Sequence, residues 1–436
     1  MTETLSRGLK TGYGVGSLGT GIFTTVPGLL LLFYLTDVLA VPAATAGFVI
    51  LLPKIWDFVI DPIIGSISDR FSSRLGNRRP FMFLGGFLLP LFFGLMFAPP
   101  EMGSGATALW VAGFFTLSAT AFSLFQVPYI ALPAELTTDP LERTRVVAYR
   151  MVALTIGILL GGGLGPVLAD AGGGGRAGYR SMGLVIGMVA GGAMLLSTLG
   201  LRKGRTVPPV ESTEPFADQL RRARQNRPFA FLMGGYFIQN LAVNVMLAGA
   251  PFLSLYLLGD EALTALLFVA LVAPAAILVP VWARISYRLG KLRSLEVCVA
   301  GYAVVAATMV TVSADRIWLA IVQVGMLGFF YAGTQLFPFS MLPDAIDVDT
   351  RANAGQSRAG SFTGLWTAGE TIGAAVGPFI FAAVLALTGF IESGDEVVTQ
   401  TATALSGIRL GFALLPSLLL LASLPVIHRY RPEVPA

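Results

Sequence analysis

Twelve times along this chain the sequence runs for about twenty residues with little or no charge, long enough for an α-helix to cross the hydrocarbon core of a bilayer. The segments lie near 12–38, 43–67, 80–98, 107–136, 147–169, 178–200, 228–257, 262–289, 293–313, 315–343, 359–388 and 403–427. In lipid no water satisfies a bare N–H or C=O, so such runs fold as helices, and the predicted class is an all-α membrane protein. Composition agrees: 12% of the residues are charged and the mean hydropathy is +0.75, against about 25% charge in a soluble domain. The first run extends to about residue 38 without a small-residue cleavage site behind it, so it is expected as a retained first helix, not a signal peptide.

Several function classes drop out. The net charge of +4 comes from Lys and Arg in short loops with no aromatic-interleaved basic patch, which is membrane topology and not nucleic-acid binding. One cysteine, Cys298, forms no intramolecular disulfide, and one histidine, His428, is too few for a His-based metal site or a Ser-His-Asp hydrolase. No enzyme and no cofactor are expected.

The stretch Arg202–Arg227 carries seven Lys and Arg and three prolines. It divides the chain into an N-terminal six-helix bundle (1–201), a linker (202–227) and a C-terminal six-helix bundle (228–436). With both termini in the cytoplasm, the linker and the Arg-rich loops at 70–79, 143–145 and 284–293 lie inside, and only Arg176, Arg180, Arg316 and Arg409 lie outside. This is the positive-inside arrangement. Arg70-Phe-Ser-Ser-Arg74-Leu-Gly76-Asn-Arg78-Arg79 matches Arg284-Ile-Ser-Tyr-Arg288-Leu-Gly290-Lys-Leu-Arg293 at six of ten positions, 214 residues later (284 minus 70). Two copies of six spans keep the same orientation, the parallel-repeat plan of the major facilitator fold.

Span two places Asp57 and Asp61 four residues apart, on one helix face near the bilayer midplane, with Lys54 three residues before Asp57. Ionisable groups at that depth are costly and mark function by default. Two anions beside one cation leave a negative pocket suited to Na⁺, whose lost hydration carboxylate oxygens replace, or to H⁺, since neighbouring carboxylates repel when both are ionised. The structural alternative is a buried Lys54–Asp57 ion pair with Asp61 capping a neighbouring helix.

These residues sit in Lys54-Ile-Trp-Asp57-x-x-x-Asp61-Pro-x-x-Gly65-x-x-Ser68-Asp69-Arg70, followed by Arg74-x-Gly76-x-Arg78-Arg79-Pro80. The pattern resembles the glycoside-pentoside-hexuronide:cation symporter family, which contains the melibiose permeases. Tyr13-Gly-x-Gly16, Phe33-Tyr34-Leu-Thr-Asp37, Pro128-Tyr129-x-Ala-Leu132, Met341-Leu-Pro-Asp344-Ala-Ile-Asp347 and Gly364-Leu-Trp366 extend the resemblance over nearly the whole chain. It implies Asp57 and Asp61 as cation ligands, Ser123 as a span-four hydroxyl ligand and Arg150 beside the sugar cavity. Gly21 and Gln126 stand where the family pattern has acids that bind sugar hydroxyls, Ile60 where it has an Asn of the cation site, and Thr371 at its span-eleven Lys. Gln126 keeps one carbonyl acceptor and Gly21 none. A substrate with fewer hydroxyls, or a partly apolar one, therefore fits at least as well as a sugar.

Glu370, next to Thr371, is a second midspan acid, a candidate to protonate in transport or to pair with Lys54 or Arg150. Asn240 and Asn244, on one face of span seven beside Gln239, either bind ligand or join helices. The glycine runs Gly161–Gly165 and Gly373-x-x-x-Gly377 lack the P-loop Lys and read as close helix packing. Asp69, Arg70, Arg74 and Arg78 form a candidate ion-pair latch between the halves, with positive-inside retention as the plainer account. Asp344, Asp347 and Asp349 are expected in a related role, with Arg358 as a partner.

The expected function is symport of a small solute, such as a sugar or glycoside, coupled to H⁺ or Na⁺ by alternating access in the inner (plasma) membrane, by a monomer. A facilitator or lysolipid-type carrier is the alternative, and a non-transporting receptor a remote one.

Overall fold

The computed structural model describes residues 5–71, 78–137, 139–201, 221, 225–352, 359–394 and 398–431. Among them are twelve helices long and apolar enough to cross a membrane, and no β-strand. Each overlaps one of the twelve apolar runs, because in hydrocarbon the helix is the only open-chain element that satisfies its own backbone.

The chain forms two compact units. The first holds Met1–Glu211 and Ile391–Thr399, the second Ser212–Phe390 and Gln400–Ala436. The Arg202–Arg227 linker lies almost wholly outside the described residues.

The first unit contains α1 (Arg7–Leu31), α2 (Ala43–Arg70), α3 (Arg79–Met96), α4 (Ser104–Leu136), α5 (Pro140–Ala171) and α6 (Gly175–Gly200). The second contains α7 (Arg227–Leu257), α8 (Leu263–Leu289), α9 (Lys291–Thr308), α10 (Ile317–Ala352), α11 (Ala359–Leu387) and α12 (Ala402–Ile427). Helix starts carry side-chain caps: Leu9 N donates to Ser6 Oγ, Phe229 N to Asn226 Oδ1 and Ala404 N to Thr401 Oγ1. Gly290, at φ 79°, makes the tight joint between α8 and α9 that a side chain would disfavour.

Both units use one packing plan. In the first, α1 packs on α5 and α6, α3 on α4 and α6, and α2 on α4; in the second, α7 packs on α11 and α12, α9 on α10 and α12, and α8 on α10. The polar ends repeat as well. Arg78, capping α3, is ion-paired with Glu135 in the last turn of α4, and Lys291, which opens α9, reaches Asp344 of α10 at 2.6 Å.

Glycine sets how close the helices come. A Cβ on Gly157 of α5 would lie 2.9 Å from Leu18 Cα of α1, and one on Gly377 of α11 would lie 2.5 Å from Asn244 Cβ of α7. The second glycine run thus serves helix packing, as its spacing predicts. One segment departs from the expected halves: 391–399, sequentially part of the second, packs in the first unit. There Ser393 N donates to Thr36 O at 3.1 Å, and Ala43 N, an unpaired donor at the start of α2, donates to Glu392 Oε1 at 2.8 Å.

Candidate functional site

In the first unit Lys54, Asp57, Asp61 and Ser123 come together. Lys54 Nζ donates to Asp57 Oδ2 at 3.2 Å, one helical turn along α2, so the ion-pair half of the structural alternative is present. The same ammonium lies 5.9 Å from the ring centres of Phe23 and Phe115, whose faces are electron-rich. Asp57 is only 6% exposed. Among the described residues one oxygen of Asp57 and one of Asp61 are buried with no hydrogen-bond partner, and the Ser123 hydroxyl of α4 is within hydrogen-bonding reach of the Asp61 carboxyl. Asp61 therefore does not serve as a helix cap. The pair is a carboxylate cluster with acceptor capacity left over, where most buried polar atoms are satisfied.

Such a cluster offers two carboxylates and one hydroxyl. Among the described residues no three His, Cys, Asp or Glu side chains come together as metal ligands, so a bound metal cation would need backbone or water oxygens besides. A proton needs one carboxylate oxygen only.

Two sugar-type positions are built differently from the family pattern. At Gly21 a Cβ would lie 2.7 Å from Ile158 N and closer still to Leu154 O, because α5 crosses α1 there backbone to backbone. The position has no space for an acid as well as no side chain. Gln126 Oε1 accepts from Thr20 Oγ1 at 2.8 Å, so its carbonyl joins α4 to α1.

Arg150 of α5 stands 6.0 Å from the centre of the Tyr129 ring, and its Nε is buried without a partner. Tyr129 stacks on Tyr13 at 4.5 Å, donates to Tyr13 O at 2.7 Å and lies 2.8 Å from the Ser17 hydroxyl. The two tyrosines thus fix the platform on which the guanidinium sits.

In the second unit, Tyr236 donates its phenolic hydrogen to Glu370 Oε1 at 2.7 Å, and Tyr236 stacks on Trp366 at 4.4 Å. The sequence offers Lys54 or Arg150 as partners of Glu370; the structure gives it a phenol of its own unit. Asn240 Nδ2 donates to Glu370 O at 2.9 Å, and Asn244 Nδ2 donates to Asn240 O and Oδ1. Asn240 therefore joins α7 to α11, while the Asn244 amide bonds back along α7. Thr371 Oγ1 donates to Thr367 O one turn back on α11.

Of the latch residues, Arg74 and the side chains of Asp69 and Arg70 lie outside the described residues, while Arg78 is buried against Glu135 within its own unit. Arg358 is also outside them; Asp344 is held by Lys291. Sequence reading missed Tyr236 and Thr20 as partners. Tyr236 is 134 residues from Glu370, and no local spacing relates the two.

A twelve-helix, two-unit bundle with buried acids in its spans defines a secondary transporter of the major facilitator type. The sequence matches the MFS/sugar transport protein family over residues 12–432, and the chain belongs to that family. It is 28% identical to an uncharacterized symporter of Synechocystis sp. over 97% of this chain and 93% of the other. It is 26% identical to the sodium-dependent lysophosphatidylcholine symporter 1 of Mus musculus, over 79% and 71% of the two chains. The fold is similar to that of a bacterial homolog of the human lysosomal transporter Spinster, in an inward-facing and occupied conformation. The TM-score is 0.70 at 14% identity, covering 97% and 95% of the chains.

Proposed function

We propose that this protein is a cation-coupled symporter of a small solute, in which H⁺ or Na⁺ binds at Asp57, Asp61 and Ser123 and so raises affinity for the solute. The observation that carries this reading is the pair of buried carboxylate oxygens on one face of α2 with no hydrogen-bond partner among the described residues. Two carboxylates beside one ammonium leave one negative charge without its complement in a membrane span, which is expensive, and binding a cation removes that cost. Coupling is reciprocal: whatever the cation adds to solute affinity, the solute adds to cation affinity. Release of both on the far side by alternating access then makes transport concentrative. The positive-inside bias supports an orientation with both termini in the cytoplasm.

For the solute, the first reading is a sugar or glycoside met by Arg150 and the Gln126 amide. A second reading, a lysolipid-type substrate, is favoured by the closed Gly21 position and the engaged Gln126 carbonyl, which leave few acceptors for sugar hydroxyls. Thermal stabilisation of the purified protein by sugars, glycosides and lysolipids, with and without Na⁺, separates the two, since only binders of the folded state stabilise it. Sugar silence with a lysolipid response selects the second, and silence to every compound with no effect of Na⁺ or pH removes the symport proposal.

A further inference from the structure

We propose that the second unit binds one anionic phospholipid from the surrounding bilayer in a groove between α9 and α12, with the phosphate between Arg293 and Arg429. Helix α9 starts at Lys291 and α12 ends at Ile427, and the two pack against each other, so Arg293 and Arg429 belong to the same end of the helix pair. Between them opens a cavity of about 860 Å³.

Its lining is sorted along the helix axes. Arg293, Glu296, His428 and Arg429 line the end, while Val297, Ala300, Leu424 and Pro425 line the part further into the spans. At about 1.5 Å per residue, Ala300 lies about 10 Å deeper along α9 than Arg293. Val297 is 47% exposed, and Leu289 at the rim is 44% exposed. A charged rim above an open apolar floor matches one amphiphile, with its head group at the rim and an acyl chain along the floor.

The rim carries two arginines against one carboxylate, Glu296. Among the described residues neither Arg293 nor Arg429 has an ion pair or a side-chain hydrogen bond. Other charged groups close by are engaged: Lys291 with Asp344 at 2.6 Å, and Glu296 with His428 Nδ1 at 2.9 Å. Arg293 also sits in the first turn of α9, where the exposed N–H groups already carry positive partial charge. A cation there is unfavourable alone and favourable with an anion shared between it and the helix end. A phosphodiester supplies that anion and accepts paired hydrogen bonds from a guanidinium. The rim alone would suit a free phosphate; the apolar floor selects the lipid.

The test is native mass spectrometry of the delipidated full chain titrated with phosphatidylglycerol and with phosphatidylcholine of the same acyl chains. The expected result is one tightly held phosphatidylglycerol, preferred at least roughly ten-fold over phosphatidylcholine, with that preference falling about five-fold for each of Arg293→Gln and Arg429→Gln. Ala300→Phe, which fills the floor and leaves both arginines, should weaken the same binding, and Arg7→Gln in the first unit should not. Equal binding of the two lipids, or a phosphatidylglycerol preference that survives the double arginine variant, overturns the proposal. Competition by glycerol phosphate as effective as that by the intact lipid overturns it too, and leaves a free-anion site.

Discussion

Tyr236 and Glu370, on α7 and α11, are joined by a 2.7 Å hydrogen bond from phenol to carboxylate inside the second unit. A midspan acid that looks like a spare ligand in the sequence is held by a neighbour that packs flat on Trp366. Tyr236→Phe should therefore remove this hydrogen bond and lower stability by about 0.5–1.5 kcal/mol. Glu370→Gln, which keeps an acceptor for the phenol, should cost less. A double-mutant cycle on melting of the solubilised protein checks the coupling, and additive losses would mean that the bond contributes nothing.

As the proposed cation site, the α2 pair should respond to mutation differently from a structural ion pair. Asp57→Asn and Asp61→Asn should each reduce concentrative uptake to background. Asp61→Asn should insert normally, whereas Asp57→Asn leaves the Lys54 ammonium without its anion and should reach the membrane in smaller amounts. Adding Lys54→Met to Asp57→Asn should restore the amount of protein without restoring uptake. Wild-type accumulation by either single variant would sink the cation site.

Gly21 tests the substrate reading without touching the ion. Because α5 lies against this position through backbone atoms, Gly21→Asp should destabilise the α1–α5 contact by clash and should not create sugar binding. Gly21→Ala should already lower thermal stability. An aspartate variant that folds normally and gains stabilisation by sugars would show that α1 and α5 part at this point.

The spans were legible in the sequence because hydrocarbon leaves the backbone one solution over each apolar run, and the repeat was legible because Arg284–Arg293 copies Arg70–Arg79. Lys54 and Asp57 were legible for the same reason, being one turn apart on one helix. What the sequence hid is long-range pairing. Nothing near Gln126 points to Thr20, 106 residues away. Asn240 and Asn244 carry the same pattern whether they face a ligand or α11, and their approach to Gly373 and Gly377 is visible only in the fold. Segment 391–399 was assigned by chain order, which carries no information about the bare N–H of Ala43 that Glu392 caps.

Orientation is open to direct measurement. Tyr287, 88% exposed in the last turn of α8, and Glu101, exposed in the loop before α4, are predicted on opposite sides of the membrane. The native thiol of Cys298 is fully buried, so background labelling should be low. In intact cells an impermeant maleimide should label Glu101→Cys and spare Tyr287→Cys until the cells are opened. The reverse pattern would invert the topology.

The last expectation concerns the driving ion, and the ligand set favours H⁺. Na⁺ prefers several oxygen ligands. Here the side chains supply two carboxylates and the Ser123 hydroxyl, while position 60, where the family pattern offers an amide oxygen, is an isoleucine. Lys54 already compensates Asp57 at 3.2 Å, so a single added proton on the pair brings Lys54, Asp57 and Asp61 to neutrality. That neutral trio is the arrangement a low-dielectric span tolerates best. The experiment must separate the ions. In proteoliposomes, uptake of a ligand that stabilises the protein should follow an imposed pH gradient in Na⁺-free buffer and collapse with a protonophore. Replacing K⁺ by Na⁺ at constant pH should leave both uptake and melting temperature unchanged. Uptake that requires Na⁺ and ignores the pH gradient would assign the site to Na⁺, with backbone or water oxygens completing its shell, and would leave the Asp57 and Asp61 predictions standing.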